Sequence, residues 1–254
     1  MSLKTLDNSL EILNYFTRET PSWGVRELAK EMGISHSIVY RTLASFEKYG
    51  FLEQDPLSKK YELGLRFLEF GQMVKEKMRL SELVYPVMKR LAEQVEESIF
   101  LTWLDKADGV TVEIAESAHR IKYDVSLGTR TPLYVGASCK VIMAFLPQDK
   151  QQEIISNGLK AFTKNTILDE EKLLKDLDEI KEKGWCYSVG EFSDSVFGLG
   201  VPLFNSKNEI IASLTISGPE YRAEEMNTKE ALNVLQKAAG KIQDYLKHYS
   251  SNYR

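Results

Sequence analysis

The chain has only two cysteines and three histidines among 254 residues, and that scarcity removes whole classes of function. Cys139 and Cys186 cannot make a disulfide framework and read as free thiols in a reducing compartment. His36, His119 and His248 lie far apart and match no zinc-ligand spacing, so no metal and no cofactor is expected. No apolar run is long enough to span a bilayer and no signal-peptide pattern occurs, which points to a cytoplasmic protein. A basic surplus is missing too. The 33 Lys+Arg against 37 Asp+Glu leave a formal charge of −4, which excludes a general nucleic-acid coat. There is no internal repeat and no low-complexity tract. What is left is a chain long enough for one large domain or two smaller ones.

The most informative stretch that is present runs from Val25 to Leu63. Val25, Leu28, Ala29 and Met32 recur at helical spacing, with Glu27, Lys30 and Glu31 facing water. Gly33 follows as a helix-ending residue, and Ile34 plugs the corner before a second helix. Ser35 is placed to N-cap that helix through its hydroxyl. Val39, Leu43 and Phe46 then form a buried stripe, which leaves His36, Ser37, Tyr40 and Arg41 on the opposite face. Gly50 ends the helix, and Phe51–Gln54 and Lys60–Leu63 read as strands around an Asp55-Pro56-Leu57-Ser58 turn. Two helices and a hairpin in this order make a winged helix-turn-helix, which sets one helix in the major groove of DNA.

Within that unit Arg41 can pair bidentately with guanine, while Ser37, Tyr40 and the helix start suit phosphates and sugars. Lys59 and Lys60 sit where a wing meets the backbone of the duplex. The charge balance runs the other way: residues 1–63 hold 8 Lys+Arg and 9 Asp+Glu. A DNA-binding domain is normally basic, so weak binding per copy and a need for several copies are expected.

Flanking this unit, residues 4–17 read as an amphipathic helix with Leu6, Leu10, Leu13 and Phe16 on one face, suited to packing or dimer contact. Residues 64–79, with Leu65, Phe67, Leu68, Phe70 and Met73, read as a linker helix whose apolar surplus suits pairing with another copy. Beyond it the reading is a helix (Leu80–Glu96) and strands near Ile99–Leu104, Val110–Ser117 and Ile121–Val125. Helices follow at Ala137–Leu146, Gln148–Asn157 and Asp169–Lys183. Strands return at Cys186–Glu191, Val196–Leu203 and Ile210–Ser217, and a last helix runs to about Tyr249. The expected fold class is α+β: residues 1–63 as the winged helix-turn-helix, 64–79 as linker, and 80–254 as a sensory domain with a central antiparallel sheet.

In their order and spacing, ISHSIVYRTLASFEKYGFLE, KYELGLRFLEFG, LGTRTPLYVGASCKVIMAFL, EKGWCYSVGE and ASLTISGP make the whole chain resemble the IclR family of bacterial transcription regulators. The resemblance implies a C-terminal GAF-like (profilin-like) effector-binding domain. It also implies operator DNA as a partner, homodimers or tetramers, and repression or activation controlled by a small metabolite.

Independently of the family, the Gly128–Leu133 loop feeds a helix starting at Gly136-Ala137-Ser138-Cys139, and a helix start receives carboxylates or phosphates. The same segment also fits a tight strand-to-helix turn made of small residues. The resemblance places effector contacts at Thr131, Ala137, Ser138, Ser188, Gly198, Thr215 and Ser217, with Leu133, Phe197 and Leu199 as apolar walls. Where relatives carry an acidic pair this chain has Ser188-Val189, and Gly198 lacks a side chain. Those departures imply less repulsion of an anion and a larger pocket, hence a larger carboxylate such as a sugar acid or aromatic acid.

Two alternatives stay open. One is a ligand sensor that acts through protein partners. The other is a Cys139-dependent hydrolase, with the thiol at a helix start and His119 as base. No catalytic residue is expected: GASCK is not a nucleophile elbow, and nothing in the spacing joins Cys139 to His119.

Overall fold

A computed structural model describes residues 3–123 and 125–250. The chain divides into two compact units, Met1–Lys77 and Met78–Arg254.

In the first unit, α1 (Lys4–Leu13), α2 (Val25–Met32) and α3 (His36–Lys48) precede a two-stranded hairpin, β1 (Leu52–Gln54) and β2 (Tyr61–Leu63). Leu28, Val39, Leu43, Leu52, Tyr61 and Ile12 form its core. Gly33 stands at φ +65, a left-handed conformation that costs glycine nothing and turns the chain between α2 and α3. Two expectations fail here. α1 ends at Leu13 and not at Thr17; it buries Ile12 and leaves Leu6 and Leu10 exposed. Ser35 occupies the N-cap position of α3, but its hydroxyl makes no capping bond. Instead the Ser35 carbonyl accepts from the Ile38 and Val39 N–H groups.

α4 (Arg66–Met78) is moored to this unit at its start, where Phe67 and Phe70 pack on Phe51 with ring centroids 5.3 and 5.7 Å apart. Further along, none of its side chains is buried.

The second unit is built on a six-stranded antiparallel sheet in the order β5-β4-β3-β8-β7-β6. The strands are β3 (Ser98–Asp105), β4 (Asp108–Ala115), β5 (Arg130–Pro132), β6 (Cys186–Val189), β7 (Val196–Phe204) and β8 (Ile210–Pro219). Period-two alternation divides the sheet's side chains. Ile99, Leu101, Leu199, Val201, Leu214 and Ile216 pack with Met88 and Leu91 of α5 (Tyr85–Val95) and with Leu235 and Ile242 of the C-terminal helix α10 (Thr228–Ser250). A short π-helical turn, Leu80–Val84, leads into α5.

Hydroxyls and glycines dominate the other face, covered by α6 (Gly136–Ala144), which packs in a second core with α7 (Gln148–Ser156) and α8 (Glu170–Lys183). A short α9 (Glu220–Ala223) follows β8. The expected strand at Ile121–Val125 is absent among the described residues of that segment. The strand beside β4 is Arg130–Pro132 instead, with Thr131 opposite Gly109.

Candidate functional site

On the first unit, His36, Ser37, Tyr40 and Arg41 all face solvent from the first turns of α3, as the spacing predicts, with Ser35 exposed just before them. The wing is held rigidly. Asp55 Oδ1 accepts from the N–H groups of Leu57 and Ser58, at 3.1 and 2.6 Å, and Gln54 Nε2 donates to the Lys59 carbonyl at 3.0 Å. Those contacts hold the Asp55 carboxyl below the usual range, the backbone N–H of Ser58 contributing most. Lys59 is exposed at the tip at φ +58. Lys60, expected on a phosphate, is paired with Glu27 at 2.9 Å, and Glu27 also accepts from Gly24 N–H at 3.1 Å. The Lys60 contact and the Gly24 N–H draw the Glu27 pKa down.

The second unit contains a cavity, open to solvent, between the hydroxyl-rich sheet face and the start of α6. Thr131, Ala137, Ser138, Ser188, Phe197, Gly198, Thr215 and Ser217 line it, which gathers most of the residues expected there. Leu133 and Leu199 do not. Both are fully buried in the two cores on either side, Leu133 with α6 and Leu199 with α5 and α10. Gly198 lines the cavity and also sits against α6. A Cβ there would lie 3.0 Å from the Ala137 Cβ, so the missing side chain is what lets α6 approach β7.

The polar lining is unevenly engaged. Ser217 Oγ donates to the Phe197 carbonyl at 2.6 Å, and Ser213 Oγ ties β8 to α6 through the Ser138 carbonyl at 2.7 Å. Thr215 Oγ1 is buried with no hydrogen-bond partner in the protein, the one such side-chain atom among the described residues. A hydroxyl out of water and without a partner is costly, so one that lines a cavity is an invitation to a ligand.

Residues outside the sequence expectation complete the walls: Phe100, Thr102, Thr111, Tyr123, Val125, Glu191, Phe192, Ser193 and Val196. The alternation of β3 and β4, with Thr102 opposite Thr111, was the signal for the floor. Tyr123 and Val125 come from the segment expected as a strand. Tyr123 packs against Phe100 at 5.9 Å, and Arg222 Nη1 donates to the Ile121 carbonyl at 2.9 Å. Burial pushes the Tyr123 phenol up to about 12.

Glu191 does the least expected thing. Its carboxylate accepts from Gly136 N–H at 3.0 Å, occupying the first free donor of α6, and from Lys140 Nζ at 2.6 Å. The chain thus keeps a carboxylate beside the site, contrary to the inference drawn from Ser188-Val189. Lys140 is 1% exposed and also donates to Asp176 at 2.7 Å. Burial works against its ammonium, but Cys186, Glu191 and Asp176 outweigh it and shift its pKa upward.

The hydrolase geometry is not assembled. Cys139 is fully buried beneath β4, where a Cβ on Gly109 would lie 2.6 Å from its sulfur. Burial pushes the thiol up to about 12, the reverse of what a nucleophile needs. His119 lies in a separate groove with Tyr85, Lys89 and Glu93. Among the described residues no cluster of metal-ligating side chains occurs, and no helix is long and apolar enough to cross a membrane.

Two family profiles cover this arrangement. The IclR helix-turn-helix domain matches residues 5–56, and the C-terminal domain of bacterial transcriptional regulator IclR matches residues 72–244. The chain belongs to the IclR family.

Similar relatives of this IclR-family regulator include the HTH-type transcriptional regulator KipR of Bacillus subtilis. It is 35% identical over 225 residues, which cover 86% of this chain and 87% of that protein. The HTH-type transcriptional regulator KdgR of Escherichia coli is 31% identical over 220 residues, covering 86% and 84%. The fold is shared with an IclR homolog from Microbacterium hydrocarbonoxydans, solved in complex with 4-hydroxybenzoate. That match has a TM-score of 0.82, 20% identity and coverage of 96% of this chain and 99% of that one. The α+β reading, with a helix-turn-helix and a curled antiparallel sheet, is therefore met.

Proposed function

We propose that this IclR-type regulator is a cytoplasmic, homo-oligomeric repressor whose grip on operator DNA is set by a small hydroxylated acid held in the α6 cavity. The observation that carries the reading is the exposed α3 row beside a rigid wing, in a chain that also holds a cavity with an unpartnered buried hydroxyl. Arg41 reads a base edge, Ser35, His36, Ser37 and Tyr40 contact bases or adjoining backbone, and Lys59 takes a phosphate. Lys60 reaches a phosphate only by exchanging Glu27 for it, which keeps the affinity of a single copy low. Pairing of copies supplies the rest. Phe70, Met73 and Val74 are 42, 63 and 57% exposed on one face of α4, an apolar row suited to a second copy.

We take residues 1–63 as the reading head, 64–79 as the connecting helix and 80–254 as the sensor. The effector binds one dimer geometry better than another and so shifts operator affinity. The 4-hydroxybenzoate bound by the Microbacterium homolog is a hydroxy acid of the class that the cavity's hydroxyls suit.

The test begins with a panel of small acids and polyols screened for raising the melting temperature of the intact chain. Compounds that stabilise it should change the affinity for bound duplex, read by fluorescence anisotropy. Stabilising compounds that leave DNA binding untouched would overturn the regulatory reading.

A further inference from the structure

Among the residues lining the cavity, Glu191 is the one charged side chain, and no Lys, Arg or His joins it. Its position is over-determined. Oε2 holds Gly136 N–H at 3.0 Å and Oε1 holds Lys140 Nζ at 2.6 Å. From behind, Thr166 Oγ1 donates to the Glu191 carbonyl at 2.8 Å, and Thr163 Oγ1 donates to the Gly190 carbonyl. A carboxylate offers about four lone-pair sites, so these contacts leave acceptor capacity on both oxygens of a group that borders the cavity. The local charge is one ammonium, Lys140, against two carboxylates, Glu191 and Asp176. A second anion brought to Glu191 would find its cation already shared and would be repelled.

We infer that Glu191 is a specificity-determining residue: it demands a hydroxyl or N–H donor from the effector and rejects compounds that present only a carboxylate. The inference rests on the cavity being the effector site. An effector's anionic or carbonyl end then turns away from Glu191, toward other lining residues such as Thr215, whose Oγ1 lacks a partner. The consequence is a preference for hydroxylated over deoxygenated compounds of equal size. A hydrogen bond to a charged acceptor corresponds to a preference of about tenfold to a hundredfold. A site left with an unpaired buried acceptor rejects the deoxy analogue most strongly.

The test is calorimetric titration of the intact chain with matched pairs: glycerate against propionate, and 4-hydroxybenzoate against benzoate. The wild type should bind the hydroxylated member of at least one pair ten or more times more tightly. In Glu191→Gln, which keeps the size and the contact to Gly136, that ratio should collapse toward one through tighter binding of the deoxy acid. A merely structural role would lower both affinities together and leave the ratio intact.

Equal binding within both pairs by the wild type overturns the inference without any variant, and so covers the case of a variant that does not fold. If benzoate and propionate both bind as well as their partners and Thr215→Val weakens all four, the cavity reading stands and the role of Glu191 falls. If no member of either pair binds, both fall.

Discussion

Replacing Thr215 by valine should move stability and effector binding in opposite directions. Thr215 is 3% exposed and its Oγ1 has no partner in the protein, so an isosteric methyl fits the same space. Burying an unpaired hydroxyl costs on the order of 1–3 kcal/mol in mutational data. Thr215→Val should therefore raise the stability of the sensor unit by about 1 kcal/mol. For a domain of this size that is a melting-temperature rise of about 2–4 °C. The same change deletes a hydrogen bond to the effector, so affinity should fall about tenfold. Differential scanning calorimetry with and without ligand reads both quantities on one sample. A destabilised variant with unchanged ligand affinity would refute the reasoning, because the hydroxyl would then serve the fold and not the site.

The remaining predictions concern the buried ions, the thiols and the assembly. Lys140→Met leaves the Glu191 and Asp176 carboxylates uncompensated and should destabilise by about 3–5 kcal/mol in urea unfolding; adding Glu191→Gln should restore part of the loss, and full additivity would count against the triad. The Cys139 and Cys186 thiols are both pushed up to about 12 by burial, from an ordinary value of 9.0. Between about pH 9 and 12 the unfolded chain thus releases two protons that the native chain retains. Stability should fall by roughly 3 kcal/mol per pH unit over that window, and native thiols should resist disulfide reagents at pH 8; a flat urea midpoint from pH 8 to 10 would contradict this. Met73→Glu with Val74→Glu, on the exposed row of α4, should shift the chain toward monomer in sedimentation with its melting temperature preserved at low concentration.

The helix-turn-helix was legible because its determinants are local. The Val25, Leu28, Ala29 and Met32 spacing, the turn at Gly33 and the Asp55-Pro56 hairpin signal each act over a few residues. α1 ends at Leu13 and not at Thr17, and within one chain it buries Ile12 while Leu6 and Leu10 stay exposed, as a face suited to dimer contact would be. The 121–125 segment misled. Alternating Ile121, Tyr123 and Val125 fit any extended segment with one buried side, but here Ile121 is exposed and Tyr123 and Val125 line a cavity instead of joining the sheet. Most of the cavity's hydroxyl residues followed from the family resemblance, since they come from elements far apart in the chain, β5, α6, β6 and β8. Glu191 did not, because the partners that give it a role, Gly136 and Lys140, are 55 and 51 residues away.

The most direct test of the central claim is selection of bound sequences from a random duplex pool by the intact chain and by Arg41→Ala. Arg41 is exposed, so the variant should keep its fold and melting temperature. The wild type should enrich a motif of two symmetry-related half-sites, and the variant should lose discrimination at one base pair of each, at a cost of about 1–3 kcal/mol. Enrichment of no sequence by the wild type, or of the same motif with equal strength by both proteins, would contradict the account.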